Sequence, residues 1–349
     1  MGNLLIFLVV IGTLMLGHEF GHFLAARARK VQVEEFGLGF PPRLATLFTA
    51  GGTRFTLNAI PLGGFVRPKG EDDPSAPDGL AGSSKATRAL VLLAGPGANV
   101  LLALVAFIAA YKFAAPDYER TTISNIAASS PAEVAGLQPG DWIVAVDDLP
   151  LTTYATLHEA VTERLGQSIR VEVMRGGQSV FVDLVPRAEP PEGQGPIGIV
   201  TGNPRLQTTW GESIVYGAQS IAYQVGALIH LPAQLIRQEI EPEQARLSGL
   251  KGMYDMLSWA GEIDRNADRP FLTLNLVGVI SLGLALANLL PIPALDGGRL
   301  LFVLYEAVFR SRISPRYEGL AHAIGFAFLL AVMVYVNLQD FLNPISLPR

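Results

Sequence analysis

Four stretches of this chain, residues 4–26, 89–113, 271–290 and 320–338, are apolar over about the 20 residues that a helix needs to cross a hydrocarbon core. Runs of this length leave few folds open, because backbone polar groups in lipid must be satisfied within a helix or a closed barrel. The expected fold is a polytopic α-helical membrane protein with four transmembrane helices, and membrane lipid is an expected partner. Composition agrees, since 50% of the 349 residues are hydrophobic and only 16% are charged. A net charge of -5 with no Lys/Arg-rich run argues against nucleic acid as a partner. With no cysteine in the chain, a metal site would have to use histidine and carboxylate ligands.

Charge around the spans sets an expected orientation. The first run has no basic residue before it and leads straight into a polar motif, so it reads as a retained span rather than a cleavable signal. Arg27, Arg29, Lys30, Arg43, Arg54, Arg67, Lys69, Lys85 and Arg88 lie between the first two spans, and Arg299, Arg310, Arg312 and Arg316 between the last two. The positive-inside rule makes both loops cytoplasmic and puts both termini outside. The segment Trp210–Ile236 is also largely apolar, but Glu212, Gln219, Gln224, His230 and Gln234 favour an interfacial or re-entrant amphipathic helix over a fifth span.

Residues 121–186 read as a small α+β module. Ser130-Pro131-Ala132-Glu133 combines a capping serine, proline at the first helical position and glutamate three residues after the cap, which starts a short helix. A turn at Gln138-Pro139-Gly140-Asp141, a strand over 142–146, a helix over 153–165 and strands over 169–174 and 179–185 follow. With SPAEVAGLQPGDWIVAVDD at its start, this order closely resembles a bacterial PDZ domain; an unrelated small α+β fold is the alternative. The expected organisation is therefore residues 1–113 for the first two spans and the loop between them, 114–200 for a PDZ-like domain, 201–270 for an interfacial helical region and 271–349 for the last two spans.

His18-Glu19-Phe20-Gly21-His22 is the strongest local signal. On a helix, His18 and His22 lie one turn apart on nearly the same face, so two imidazoles can converge on one ion. Glu19 can then reach a metal-bound water as general base. Ionisable groups inside a span are costly and mark function, although a polar patch satisfied by neighbours is the bland alternative. A catalytic zinc needs a third protein ligand, and Asp296 in Asn288-Leu289-Leu290-Pro291-Ile292-Pro293-Ala294-Leu295-Asp296-Gly297-Gly298 is the candidate. Its competing role is cap of the helix expected over 299–309. The first and third spans run the same way, which brings both motifs to one side of the membrane and favours the ligand role.

HEFGH in a first span, a PDZ insertion and NLLPIPALDGG after the third span together resemble the bacterial site-2 protease family, of the type that cleaves anti-sigma factors. The resemblance covers nearly the whole chain. It implies an intramembrane zinc metalloendopeptidase in a bacterial inner membrane, with His18, His22 and Asp296 as Zn2+ ligands and Glu19 as general base. Asn288 would hold substrate or the developing oxyanion, or else serve as a helix-packing hydrogen bonder. The implied substrates are transmembrane segments of other proteins, such as anti-sigma factors or signal-peptide remnants, trimmed beforehand by another protease. Ile60-Pro61-Leu62-Gly63-Gly64-Phe65-Val66 resembles part of the family's membrane-associated β-sheet, and residues 54–60 do alternate as a strand would, as a plain surface hairpin also would. Gly95-Pro96-Gly97-Ala98-Asn99 is a further similarity, or simply a helix-packing face. Two departures are the single PDZ copy and Ser248-Gly249-Leu250, where relatives carry a proline in the third position. A membrane adaptor or metal transporter is the rival class, but internal repeats are absent and Glu19 would be superfluous to mere ion binding.

Overall fold

Helix α1 (Gly2–Ala28) buries Phe7, Ile11, Leu14, His18, His22 and Ala26, a single stripe at spacings of three and four. Leu4, Leu5, Ile6, Val9 and Leu24, off this stripe, are exposed and apolar, as suits a helix facing lipid. The computed structural model describes residues 2–71, 73, 75–151, 154–240, 246–345 and 347. It divides into two units, residues 1–110 with 211–349 and residues 111–210.

Two long strands, β1 (Val33–Ala50) and β2 (Thr53–Pro68), follow α1 and meet at the turn Gly51-Gly52, where both residues have positive φ. A two-residue hairpin loop of this kind demands residues that tolerate the left-handed region. Each strand is used twice: Glu35 pairs with both Arg54 and Arg67, so the order across the sheet is residues 43–50, 53–58, 33–40 and 64–68. The hairpin folds back on itself into a sheet, as the resemblance implied, and residues 64–68 form one of its edges. One face packs Phe36 and Phe55 edge-on to Phe23 of α1, with centroids 5.7 and 5.8 Å apart. On the sheet Glu35 is buried and accepts hydrogen bonds from Arg43 at 2.9 and 3.2 Å and from Thr56 at 2.9 Å. Burial pushes its carboxyl up, but the Thr56 and Arg43 hydrogen bonds, with the charges of Arg43 and Arg67, outweigh that and hold it below its ordinary value. Helix α2 (Lys85–Phe113) then runs beside α1.

The unit of residues 111–210 holds β3 (Thr121–Ile126), α3 (Pro131–Val134), β4 (Trp142–Val146), β5 (Leu149–Pro150), α4 (Tyr154–Thr162), β6 (Ile169–Arg175), β7 (Gln178–Leu184) and β8 (Ile199–Gly202). Thr153, the expected first residue of the longer helix, lies outside the described residues. Ser130 caps α3 by accepting from the Glu133 amide at 3.2 Å. The antiparallel sheet runs β7-β6-β4-β3-β8, with β5 paired to β4, over a core that includes Ile123, Ile143, Val146, Val171 and Val173. Strands β3 and β8 are additions to the sequence reading; β8 pairs with β3 and follows a Pro/Gly-rich segment, residues 186–198, that looks like a linker.

The remaining helices are α5 (Trp210–Ile236), α6 (Leu250–Asn266), α7 (Phe271–Asn288), α8 (Asp296–Phe309) and α9 (Pro315–Leu342). Among the described residues, four helices are long and apolar enough to cross a membrane: α1, α2, α7 and α9. Helix α5 is not one of them; it lays Ile221 and Val225 against Ala103 and Phe107 of α2 and Leu282 of α7. Buried carboxylates close two helix starts. Asp340 of α9 accepts from the Gly249 and Gly252 amides at 2.8 and 2.9 Å, and Asp264 from Leu272 and Thr273 at 2.9 and 2.8 Å. These bonds satisfy orphan amides that a helix start otherwise leaves open.

Candidate metal centre

The helical period brings His18 and His22 onto the buried stripe of α1, and α8 delivers Asp296 to the same point. The Nε2 atoms of the two histidines lie 3.0 Å apart, and Asp296 Oδ2 lies 3.1 Å from His18 Nε2 and 3.3 Å from His22 Nε2. Metal–ligand bonds of about 2.0–2.2 Å at tetrahedral angles put ligand atoms about 3.3–3.5 Å apart, so the triangle is close to the size zinc needs. His22 Nδ1 donates to the Val91 carbonyl at 2.7 Å, which leaves Nε2 unprotonated and turned toward the other two groups. The donor set, two imidazoles and a carboxylate, suits zinc with an open fourth position. Among the described residues these three form a group able to hold a metal ion.

Asp296 is the first residue of α8 rather than its cap. Leu295 occupies the cap position and makes no side-chain capping bond, so the capping role is not the one the structure shows. The two glycines after Asp296 are needed sterically: a Cβ on Gly297 would overlap the Leu289 carbonyl, and one on Gly298 the Ile292 carbonyl. Gly95 has a comparable task on α2, where a Cβ would overlap Nε2 of His22, and Gly21 lets α1 approach the Ala94 carbonyl.

Glu19 stands beside the triangle, and its Oε2 accepts the backbone N–H of Val66 at 3.0 Å. That amide belongs to the edge segment 64–68, and Gly64 lets the edge lie against Leu16 and the Gly37 carbonyl. Sequence reasoning missed Val66 because its contribution is a backbone group with no side-chain signature. A cavity of about 290 Å³ opens onto His18, Glu19, His22, Asn288 and Asp296. Asn288 ends α7 and donates to the Leu284 carbonyl of its own helix at 3.0 Å while lining this cavity. Arg299, one turn after Asp296, pairs with Glu71 at 2.7 Å at the same cavity. In the other unit, a smaller hollow of about 50 Å³ lies between α4 and β8, lined by Leu157, His158, Val161 and Ile199 among others.

The sequence pattern of Peptidase family M50 matches residues 6–332. A Clostridium acetobutylicum protein named as a zinc metalloprotease is 29% identical over 99% of this chain and 98% of its own length. One from Mesorhizobium japonicum is 31% identical over 97% and 98%, and one from Campylobacter jejuni 32% over 95% and 91%. Among solved structures, the PDZ domain of an SdrC-like protein from Listeria monocytogenes is 19% identical, covering 24% of this chain and 88% of that one, with a TM-score of 0.22. The match across nearly the whole chain, with long apolar helices around a histidine–carboxylate centre, makes this a membrane protein and a zinc metalloprotease, and the chain belongs to Peptidase family M50.

Proposed function

We propose that this metalloprotease cuts peptide bonds within transmembrane segments of other membrane proteins, with His18, His22 and Asp296 as its zinc ligands. The observation that carries the reading is the placement of His18 and His22 on the buried stripe of a long, mostly apolar helix, with Glu19 beside them. A helix of that character belongs in lipid, and a site built on it meets substrates there. Bound zinc supplies Lewis acidity, polarising the scissile carbonyl and making water nucleophilic near neutral pH. Glu19 takes the proton of the attacking water and passes it to the leaving amine. Asn288, at the cavity wall, donates to the oxygen on which charge develops.

A transmembrane helix shields its peptide bonds with its own hydrogen bonds, so the substrate must unwind locally. The edge segment 64–68 can hold the unwound stretch by strand addition directly beside Glu19. Basic residues in the first and last loops favour a cytoplasmic site, with both termini and the unit of residues 111–210 outside, in a bacterial inner membrane. That unit is PDZ-like in element order, and on this reading it admits substrates by binding a newly exposed C-terminus or by excluding those whose external domain remains attached. Anti-sigma factors and signal-peptide remnants are the candidate substrate classes, trimmed beforehand by another protease.

Mass spectrometry of the fragments from a single-span substrate tests the reading in proteoliposomes. Cuts should fall inside the apolar segment; cuts confined to flanking water-exposed residues would refute it. Replacing residues 121–187 by a flexible linker should permit cleavage of an untrimmed substrate without loss of the trimmed one. Loss of both, at normal zinc content, would refute the admission role.

A further inference from the structure

We propose that His322 of the fourth span is a positioning residue for the metal centre, acting by holding the loop that delivers Asp296. The inference rests on the reading of Asp296 as a zinc ligand. It starts from the geometry of the short link between α7 and α8. Leu295 N–H returns to the Ile292 carbonyl at 3.1 Å, closing a turn with Pro293 and Ala294 at its centre. Ala294 has a φ of 83°. Proline followed by a positive-φ residue is the pattern of a type II turn, whose third position normally falls to glycine because a Cβ is strained there. An alanine stays in this conformation only where its surroundings hold it.

His322 supplies that hold. Its Nδ1 accepts the Ala294 N–H at 2.8 Å, so the imidazole here is the neutral tautomer with its proton on Nε2. In a type II turn this amide is not used by the turn itself and requires an outside acceptor. The ring is in turn fixed edge-on to Phe302 of α8, with centroids 5.5 Å apart and planes at 76°. Gly325, three residues later on the same side of α9, lies so close to Pro293 that a Cβ would overlap its carbonyl oxygen. Helix α9 is otherwise little buried, its two buried residues being Gly325 and Asp340. The turn of α9 from His322 to Gly325 is therefore applied to the two residues at the tip of the turn, with Asp296 two positions after Ala294. A polar ring inside a membrane span is costly unless it has a task.

Groups behind metal ligands typically change metal affinity or activity by about 10- to 100-fold when lost. The test uses the full chain, zinc-loaded in detergent, and measures zinc release to excess chelator, with peptidase kinetics and thermal melting in parallel. His322→Asn places an acceptor near the position of Nδ1, whereas His322→Gln moves it outward and His322→Phe keeps the shape without one. The Gln and Phe variants should release zinc about tenfold faster or more, with the Asn variant within about twofold of the unaltered protein. Should the Phe variant fail to fold, the Asn and Gln pair decides, because both are neutral amides differing in where the acceptor lies. Equal release from the Asn and Gln variants, at either rate, would overturn the proposal. Asp296→Ala is run alongside. If it retains zinc, the ligand reading fails and this inference with it; if it loses zinc while His322→Gln behaves as the unaltered protein, this inference alone fails.

Discussion

The backbone N–H of Val66 donates to the carboxylate of Glu19 across 3.0 Å, tying the edge of the first-loop sheet to the residue proposed as general base. The sheet next to the site therefore orients Glu19 through its edge segment, the same edge to which the proposed function assigns substrate. Because this amide points away from the ladder partner of Val66, it can be removed without opening the sheet.

Val66→Pro should lower kcat by about 100-fold, the size of effect expected from misplacing a general base, with zinc content unchanged. Val66→Ala, which keeps the amide, should remain within about threefold of the unaltered enzyme on the same ground. Steady-state kinetics with metal analysis on both variants checks this. Equal kcat values for the two would remove the role of the amide.

Gly95→Ala should abolish stable zinc binding although Gly95 carries no ligand. The added Cβ would overlap Nε2 of His22, so either the imidazole or α2 must move. Overpacking of this kind costs about 1–3 kcal/mol and here acts directly on a ligand. Metal content and melting of the purified variant report the two effects separately. Full zinc occupancy would show that the helices can part without disturbing the centre.

Much of this site was legible in the sequence, and the reasons are physical. The four-residue spacing of His18 and His22 fixes their common face in any helix, and lipid allows few alternatives to helix for four long apolar runs. Asp296 was ambiguous locally, because an aspartate before a helix is a common cap; its side chain instead faces His18, and Leu295 takes the cap position. The roles of Val66 and His322 were missed for a shared reason: each rests on a backbone amide, that of Val66 itself and that of Ala294, and an amide leaves no side-chain signature even inside a motif. Strand β8 was missed because Pro186, Pro190, Pro191, Gly193, Gly195, Pro196 and Gly198 precede it, and such a run reads as a linker.

The unit of residues 111–210 should loosen in acid through Asp141. This carboxylate is buried and accepts from Arg175 at 2.7 and 2.6 Å and from the Gln138 amide at 2.9 Å. Burial pushes its pKa up, but the Arg175 hydrogen bonds and charge with the Gln138 amide outweigh that and hold it below the ordinary 3.8. A depressed folded-state value contributes stability that is full above pH 3.8 and is lost as pH falls through the lowered value. Hydrogen exchange within residues 111–210 of the full chain should be flat from pH 7 to about 5, after correction for intrinsic rates, and should show loss of protection below about 4. Asp141→Asn should cost about 1.5–3 kcal/mol at neutral pH, as expected for hydrogen bonds to a charged group, and flatten that acid response. An unchanged acid response in Asp141→Asn would assign it to other groups.

Reporter fusions within residues 151–187 and after residue 338 should report the same, non-cytoplasmic side, because basic residues gather in the first and last loops. Opposite sides would mean that α5 crosses the membrane, which would place HEFGH and LDGG on opposite faces.

Glu19→Gln tests the central claim most directly, with zinc per chain and cleavage of a single-span substrate measured on one preparation in proteoliposomes. The account predicts about one zinc per chain and cleavage reduced by about a thousandfold or more, because the ligands remain and only the proton-transfer group is lost. Cleavage within the apolar segment at an undiminished rate by the zinc-loaded variant would contradict it.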